Sequence, residues 1–286
     1  MQATQLLVRP RDDGEEFTDG FEFLSLSARK LKPGQRISVD TAGRELGLVV
    51  LGGRCSVDSS RGSWKDIGRR PDVFSGMPYA LYLPIATKAE VTGETACDLA
   101  FCYSKASEYH APKVVTPADV EVEIRGGANA TRQINKIFRP EFEAHRLLIV
   151  EVYTPGGNWS SYPPHKHDVH NLPVEADLEE LYYYRIDRPE GYAIQKVYTR
   201  DRRLDQTLTV RDGELVRIPE GYHPVVAAHG YNVYYLNALA GSARSMAASD
   251  DPDYEWVRST WHEQDPRVPV VTMDMEGMAA GRSTRS

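Results

Sequence analysis

The sequence predicts an all-β protein with two β-sandwich or barrel domains in tandem. Tyr, at 16 residues, outnumbers Trp (4) and Phe (7) together, and many of these tyrosines sit in short Val/Ile/Leu/Tyr runs. Gly, Pro, Asn or Asp bound those runs, which is the punctuation of strands, and helical periodicity is scarce between them. A weak internal repeat lays Leu81-Tyr82-Leu83-Pro84 on Val216-Arg217-Ile218-Pro219, each a strand ending in Pro. With 286 residues, and roughly 150 per domain, the chain accommodates two units, and the repeat favours two over one.

In chain order the predicted strands are 46–51, 79–83, 99–103, 147–153, 181–186, 193–198, 215–218 and 233–239. The run Cys97 to Tyr103 falls near Asn232 to Asn237 in the repeat, and Lys88, four residues after Pro84, stands where the second half has His223. A Pro- and Gly-containing stretch including Gly126-Gly127 separates the halves. The expected organisation is an N-terminal β domain over 1–115, a linker over 116–140, a C-terminal domain over 141–265 and a tail over 266–286, mobile or draped.

The formal charge of −7, with no basic block, argues against a nucleic-acid partner. The longest strongly apolar run, 46–51, is far short of the roughly 20 residues that span a bilayer, so no membrane partner is expected. The first 17 residues lack a signal-peptide pattern. Cys55, Cys97 and Cys102 form no C-x-x-C pair and read as buried thiols, which fits a reducing cytoplasm. The acceptor-like Asn129 and Asn158 triplets are chance matches without a secretory signal.

The eight histidines are unevenly placed: none precedes His110, and six fall between His145 and His229. Pro163-Pro164-His165-Lys166-His167-Asp168 puts two imidazoles at i and i+2, on one face of a strand and about 6.6 Å apart along it. Glu179-Glu180 opens another predicted strand, and Pro219-Glu220-Gly221-Tyr222-His223 places a third imidazole just past a tight turn. His165, His167, Glu180 and His223 make a three-nitrogen, one-oxygen set for one divalent ion, with positions left for water or substrate. Strand parity groups Glu180 with Tyr182 and Tyr184 but leaves open which face is inward, so Glu179 is the alternative and Glu180 is preferred. Zn, Mn, Fe, Co and Ni all suit mixed N/O ligation. His170 and His229 read as solvated, and His110, His145 and His262 as structural.

At these residues the sequence resembles the cupin superfamily, whose first motif supplies two His and a Glu and whose second supplies a third His. The stretch from Gly213 to His223 matches the second, except that one residue rather than two precedes the His. The first departs more, with twelve residues between His167 and Glu180. That long form is similar to the 5-deoxy-glucuronate isomerase family of myo-inositol catabolism, related to the 5-keto-4-deoxyuronate isomerases. The run from Glu151 to Asp168, Asn171 to Glu175, and Gly221 to Pro224 carry the likeness. The resemblance implies a bicupin with two jelly-roll barrels, of which only the C-terminal one keeps the metal. It also implies conversion of 5-deoxy-D-glucuronate to 5-dehydro-2-deoxy-D-gluconate.

For that aldose-to-ketose step, a divalent ion on the four ligands would stabilise the oxyanion of an enediolate, and a base would shuttle the proton unless hydride shifts directly. Gln195, Tyr198 and Asp201 are the candidate groups for proton transfer. Lys166, Arg185 and Lys196 are candidates for the sugar carboxylate, although alternation turns Lys166 away from a metal faced by His165 and His167. Tyr182 is a candidate cavity residue. Competing readings are a 5-keto-4-deoxyuronate-type isomerase, an iron cupin dioxygenase and a non-catalytic sugar-binding bicupin. The expected partner is a small sugar acid, with a homo-oligomer possible.

Overall fold

The computed structural model describes residues 5–10, 14–17 and 20–275. In chain order the first strands are β1 (Leu7–Val8), β2 (Leu24–Leu31), β3 (Arg36–Asp40), β4 (Arg44–Gly52), β5 (Cys55–Ser59), β6 (Gly62–Ile67), β7 (Tyr79–Leu83), β8 (Lys88–Gly93), β9 (Cys97–Lys105) and β10 (Lys113–Val115). There follow β11 (Glu121–Arg125), β12 (Arg132–Phe138), β13 (Leu148–Thr154), β14 (Trp159–Ser160), β15 (His165–Lys166), β16 (Asp168–Asn171) and β17 (Glu175–Ile186). The last are β18 (Ala193–Tyr198), β19 (Asp205–Val210), β20 (Leu215–Ile218), β21 (Val225–Ala227), β22 (Val233–Gly241) and β23 (Ser249–Asp250). Every strand expected from the Val/Ile/Leu/Tyr runs overlaps one of these, and two short 3-10 turns, Pro117–Asp119 and Glu255–Thr260, lie among the described residues.

The chain divides into two compact units. The N-terminal unit gathers the described residues of Arg11–Glu121, Ile137–Ile149 and Val271–Ser286, and the C-terminal unit those of Met1–Pro10, Val122–Lys136 and Val150–Val270. The N-terminal unit holds a five-stranded sheet ordered β10-β7-β4-β9-β2 and a four-stranded sheet ordered β3-β8-β5-β6. Side chains from both sheets close into one core, including Leu31, Val39, Leu46, Val57, Leu83, Val91 and Phe101. That makes the unit a two-layer sandwich, with alternate residues of each strand turned inward.

The C-terminal unit repeats this order. Its larger sheet runs β1-β20-β17-β22-β13-β12-β11, with β16 added on β17, and its smaller sheet runs β14-β21-β18-β19. Thus β7-β4-β9-β2 corresponds to β20-β17-β22-β13, and β3-β8-β5-β6 to β14-β21-β18-β19. Its core is also shared by both sheets, with Val152, Tyr182, Tyr184, Val197, Val216, Val225 and Tyr235 among its members.

Two boundaries differ from the sequence expectation, and the start of the tail follows its draped alternative. The stretch 116–140 is not a linker: it holds β11 and β12, two hydrogen-bonded strands of the larger sheet. Residues 5–10 belong with the C-terminal strands, because Leu7 pairs with Val216 and Val8 with Leu215. The tail begins fastened rather than loose. Arg267 donates to Gly156 O at 2.9 Å, and the Val270 amide donates to Gln133 Oε1 at 2.7 Å. The remainder of the expected tail, 276–286, lies outside the described residues. The three cysteines are buried and unpaired, and burial pushes each thiol pKa up.

Candidate metal centre

The site is built on β17, an interior strand of the larger C-terminal sheet between β20 and β22. Its period-two alternation turns Leu178, Glu180 and Tyr182 into the unit and Glu179 toward the other face. The parity left open by the sequence is thereby resolved in favour of Glu180, which is buried.

The twelve residues between His167 and Glu180 form a β-hairpin. β16 folds back on β17 with Asp168 opposite Asp177 and Asn171 opposite Glu175. The Leu178 amide then donates to His167 O at 2.9 Å, so the chain returns to the histidine it left. A long spacing in sequence becomes a short one in space. The hairpin base is tied by Lys166, whose ammonium donates to Asp168 Oδ1 at 2.5 Å and to Glu175 Oε1 at 2.8 Å. Asp168 Oδ2 also accepts the Gly221 amide at 2.8 Å, joining the His167 strand to the turn that carries His223. In that turn Gly221 has φ +85°, and a Cβ there would meet Tyr198 O at 2.5 Å, so only glycine fits.

His167, Glu180 and His223 converge, with one ligating atom from each lying within 4.8 Å of the others. His167 Nδ1 lies 3.0 Å from Leu178 O, and His223 Nδ1 lies 2.8 Å from Gly221 O. Each carbonyl accepts the Nδ1 proton, so each ring turns Nε2 toward Glu180, at 2.9 Å for His167 and 3.3 Å for His223. His223 Nε2 is buried and has no hydrogen-bond partner among the described residues. Two nitrogen lone pairs aimed at a carboxylate repel unless a proton or a cation joins them, and this donor set fits a divalent ion. His165 stands outside the tight trio. Its ring lies 4.9 Å from that of His223 and 6.3 Å from that of His167, and it lines the same cavity.

The electrostatics agree with that reading. Burial, reinforced by His223 and His167, holds the His165 imidazole well below its usual pKa, which leaves it neutral and able to ligate. Burial also opposes charge on His167, but the hydrogen bond and charge of Glu180 outweigh it and raise the pKa. For Glu180, burial pushes the carboxyl up, and the two imidazoles pull it down below the usual range.

His165, His167 and Glu180 line a cavity of about 190 Å³, below the roughly 300–1,000 Å³ of sites for drug-sized ligands. Tyr182, Tyr235, Ser160, Ser161 and Asn237 supply polar atoms to its wall, and Arg125, Arg132, Lys136 and Arg258 supply cations. Tyr235 and Ser160 hydrogen-bond through their hydroxyls. Burial pushes the phenols of Tyr182 and Tyr235 up, so both stay protonated and can donate to a ligand oxygen.

Of the other residues singled out in the sequence, only Tyr182 lines this cavity. Gln195 is buried behind His223, where its amide oxygen accepts from Tyr184 Oη at 2.9 Å and its Nε2 lies 3.5 Å from His223 O. Tyr198 donates to Asp251 at 2.6 Å. Asp201 is spent on a turn, accepting from Thr199 Oγ1 at 2.6 Å. Arg185 pairs with Asp212 at 2.9 Å and Lys196 with Asp205 at 2.6 Å, both on outward faces, and Lys166 holds the hairpin base. The sequence carries little signal for the cavity cations, because Arg125, Arg132 and Lys136 lie in the expected linker and Arg258 lies far from any motif. Alternation along β12, had that strand been recognised, groups Arg132, Ile134 and Lys136 on one face.

A family model described as the KduI/IolB family matches residues 10–257. The 5-deoxy-glucuronate isomerase of Geobacillus thermodenitrificans is 43% identical over 239 residues, covering 83% of this chain and 87% of the relative. The enzyme of that name from Bacillus subtilis is 37% identical over 238 residues, covering 82% and 88%. Among solved structures, an IolB-like protein from Salmonella typhimurium superposes with a TM-score of 0.86 at 35% identity, covering 89% of this chain and 99% of that one. An oxalate decarboxylase superposes with a TM-score of 0.62 at 13% identity, covering 87% and 80%, a likeness of fold alone.

Proposed function

The chain belongs to the KduI/IolB family, and from that premise we propose that it is a metal-dependent isomerase converting 5-deoxy-D-glucuronate to 5-dehydro-2-deoxy-D-gluconate. The reading takes the molecule as a bicupin whose C-terminal unit alone holds a metal. The observation that carries it is the convergence of two carbonyl-oriented imidazoles on a buried carboxylate at the floor of a small polar cavity. The curated relatives at 37–43% identity carry the 5-deoxy-glucuronate isomerase name, which favours this substrate over a 5-keto-4-deoxyuronate.

His167, Glu180 and His223, joined by His165, would hold the ion. Bound there, a divalent cation would supply Lewis acidity to the carbonyl and neighbouring hydroxyl oxygens while hydrogen passes between the two carbons that bear them. The rest is the work of the chain. Tyr182 and Tyr235, kept protonated, donate hydrogen bonds to sugar oxygens, and Ser160 fixes the Tyr235 hydroxyl. Gln195 holds the His223 carbonyl from behind and acts by positioning.

The test is an NMR assay of 5-deoxy-glucuronate with purified protein under nitrogen, with metal content measured in parallel. The expected result is loss of the aldose signals without oxygen, suppression by chelation and recovery with a divalent ion. No turnover with any of Zn, Mn, Fe, Co or Ni defeats the proposal, and strict dependence on oxygen transfers the site to dioxygenase chemistry.

A further inference from the structure

Four cations stand in the wall of the metal cavity, and three of them are already compensated. Arg125 is gripped by Glu123 through two bonds, Nε at 2.6 Å and Nη2 at 2.9 Å, and Lys136 reaches the same carboxylate at 3.0 Å. Arg258 holds Asp250 through both of its oxygens. Arg132 is different. It is 4% exposed, its Nη1 donates to Ala130 O at 3.1 Å, and its guanidinium lies 5.8 Å from the Trp261 ring centre. No carboxylate among the described residues forms an ion pair with it.

A guanidinium buried without a counter-ion is costly, and such groups persist where they meet an anion in use. The backbone explains how Arg132 is held there. Its side chain leaves the first residue of β12, beside Ile134 and Lys136 on the cavity face, and Gly126 at φ +93° turns the chain from β11 tightly enough for the fork to fit. Of its donors only Nη1 meets an acceptor among the described residues, at Ala130 O, which leaves Nε and Nη2 for a bidentate acceptor.

We propose that Arg132 is the specificity residue that receives the carboxylate of the sugar acid, and that Arg125, Lys136 and Arg258, already neutralised, set the field around it without binding the substrate directly. The inference rests on the sugar-acid reading above and deepens it. It replaces the outward-facing Lys196 and Arg185 as the source of acid recognition. One cation in a desolvated wall discriminates a carboxylate from a hydroxymethyl group more sharply than several screened at the surface.

The test compares D-glucuronate with D-glucose as calorimetric probes on the metal-loaded full-length protein and its variants, with metal content and circular dichroism recorded for each. The intact protein is expected to prefer the acid by ~100-fold, and Arg132→Gln to reduce that preference to within ~3-fold without loss of metal. Arg132→Lys keeps the charge but not the fork and is expected to lose ~10-fold. It carries the test should the glutamine variant fail to fold. Lys196→Gln leaves the preference intact. An undiminished preference in the folded Arg132 variants, equal loss in Lys196→Gln, or no preference in the intact protein overturns the proposal. Selective acid binding without turnover of 5-deoxy-glucuronate upholds it and defeats the reaction assigned above.

Discussion

At the strand position that Glu180 fills in the C-terminal unit, the N-terminal unit has Leu46. Glu180 pairs with Ile218 and Leu239, and Leu46 with Leu83 and Tyr103, on strands of the same order. Along the same register Tyr182 answers to Leu48, Tyr184 to Val50, Tyr235 to Leu99 and Asn237 to Phe101. One interior carries polar side chains around a cavity, whereas the other is lined with aliphatic and aromatic side chains. The histidines differ for another reason. Val39, inward opposite Ala89, corresponds to Ser160, inward opposite Val225. Seven positions separate Val39 from Leu46 but twenty separate Ser160 from Glu180, so the C-terminal unit carries thirteen additional residues there. His165 and His167 lie on that addition. On the proposed function, one fold would thus become a metal site through a substitution on an interior strand together with an inserted hairpin.

The largest effect is expected from making the C-terminal unit resemble its counterpart. Glu180→Leu should lower kcat by at least ~10³-fold and bring metal below stoichiometric content while circular dichroism stays unchanged, because the buried charge goes with its partners' reason to converge. A variant retaining its metal breaks the comparison. The opposite swap, Leu46→Glu, should bind no metal and cost about 3–5 kcal/mol in denaturant unfolding, since it buries a carboxylate with no imidazole to meet it.

Asp168→Ala cuts the tie between the hairpin and the Gly221 turn and is expected to weaken metal binding by roughly 10–100-fold. Titration with a competing chelator reads this directly. Acidity sharpens the contrast further. Because the Glu180 hydrogen bond outweighs burial and raises the His167 pKa, that ring must shed a proton when the ion binds, so affinity should fall as pH falls. The loss is about tenfold per pH unit for each proton released, and calorimetry in buffers of different ionisation enthalpy counts those protons. The smallest effect belongs to Lys88→Ala, expected within ±0.5 kcal/mol in stability and neutral for metal content.

Lys88 also marks a limit of the sequence. Counting from Pro84 puts it where His223 stands, yet Lys88 is exposed and Thr87 is buried on the inward face. Inward positions 87, 89 and 91 answer to 223, 225 and 227, so the turn in the N-terminal unit is one residue shorter and a residue count misses the face. The proposed metal ligands were legible because their chemistry demands rare residue types in one stretch of chain. Strand β12 was not, because Gln133 and Asn135 bond each other inside the protein, and a doubly buried strand with satisfied polar side chains reads as a polar loop. Arg132 was hidden for the same reason, since what distinguishes it is the absence of a partner, which no spacing encodes.

The hairpin between His167 and Glu180 has a thermodynamic consequence. Closing a flexible loop between two ligands costs entropy that an ion must ordinarily supply. Here the strand pairing of β16 and β17, with the Lys166 ties at its base, closes that loop before any ion arrives. The proposed metal binding would therefore be separated from chain ordering, unlike a zinc finger that folds only around its ion. The ion should be removable and replaceable without unfolding, so that one preparation can be stripped and reloaded through a series of metals.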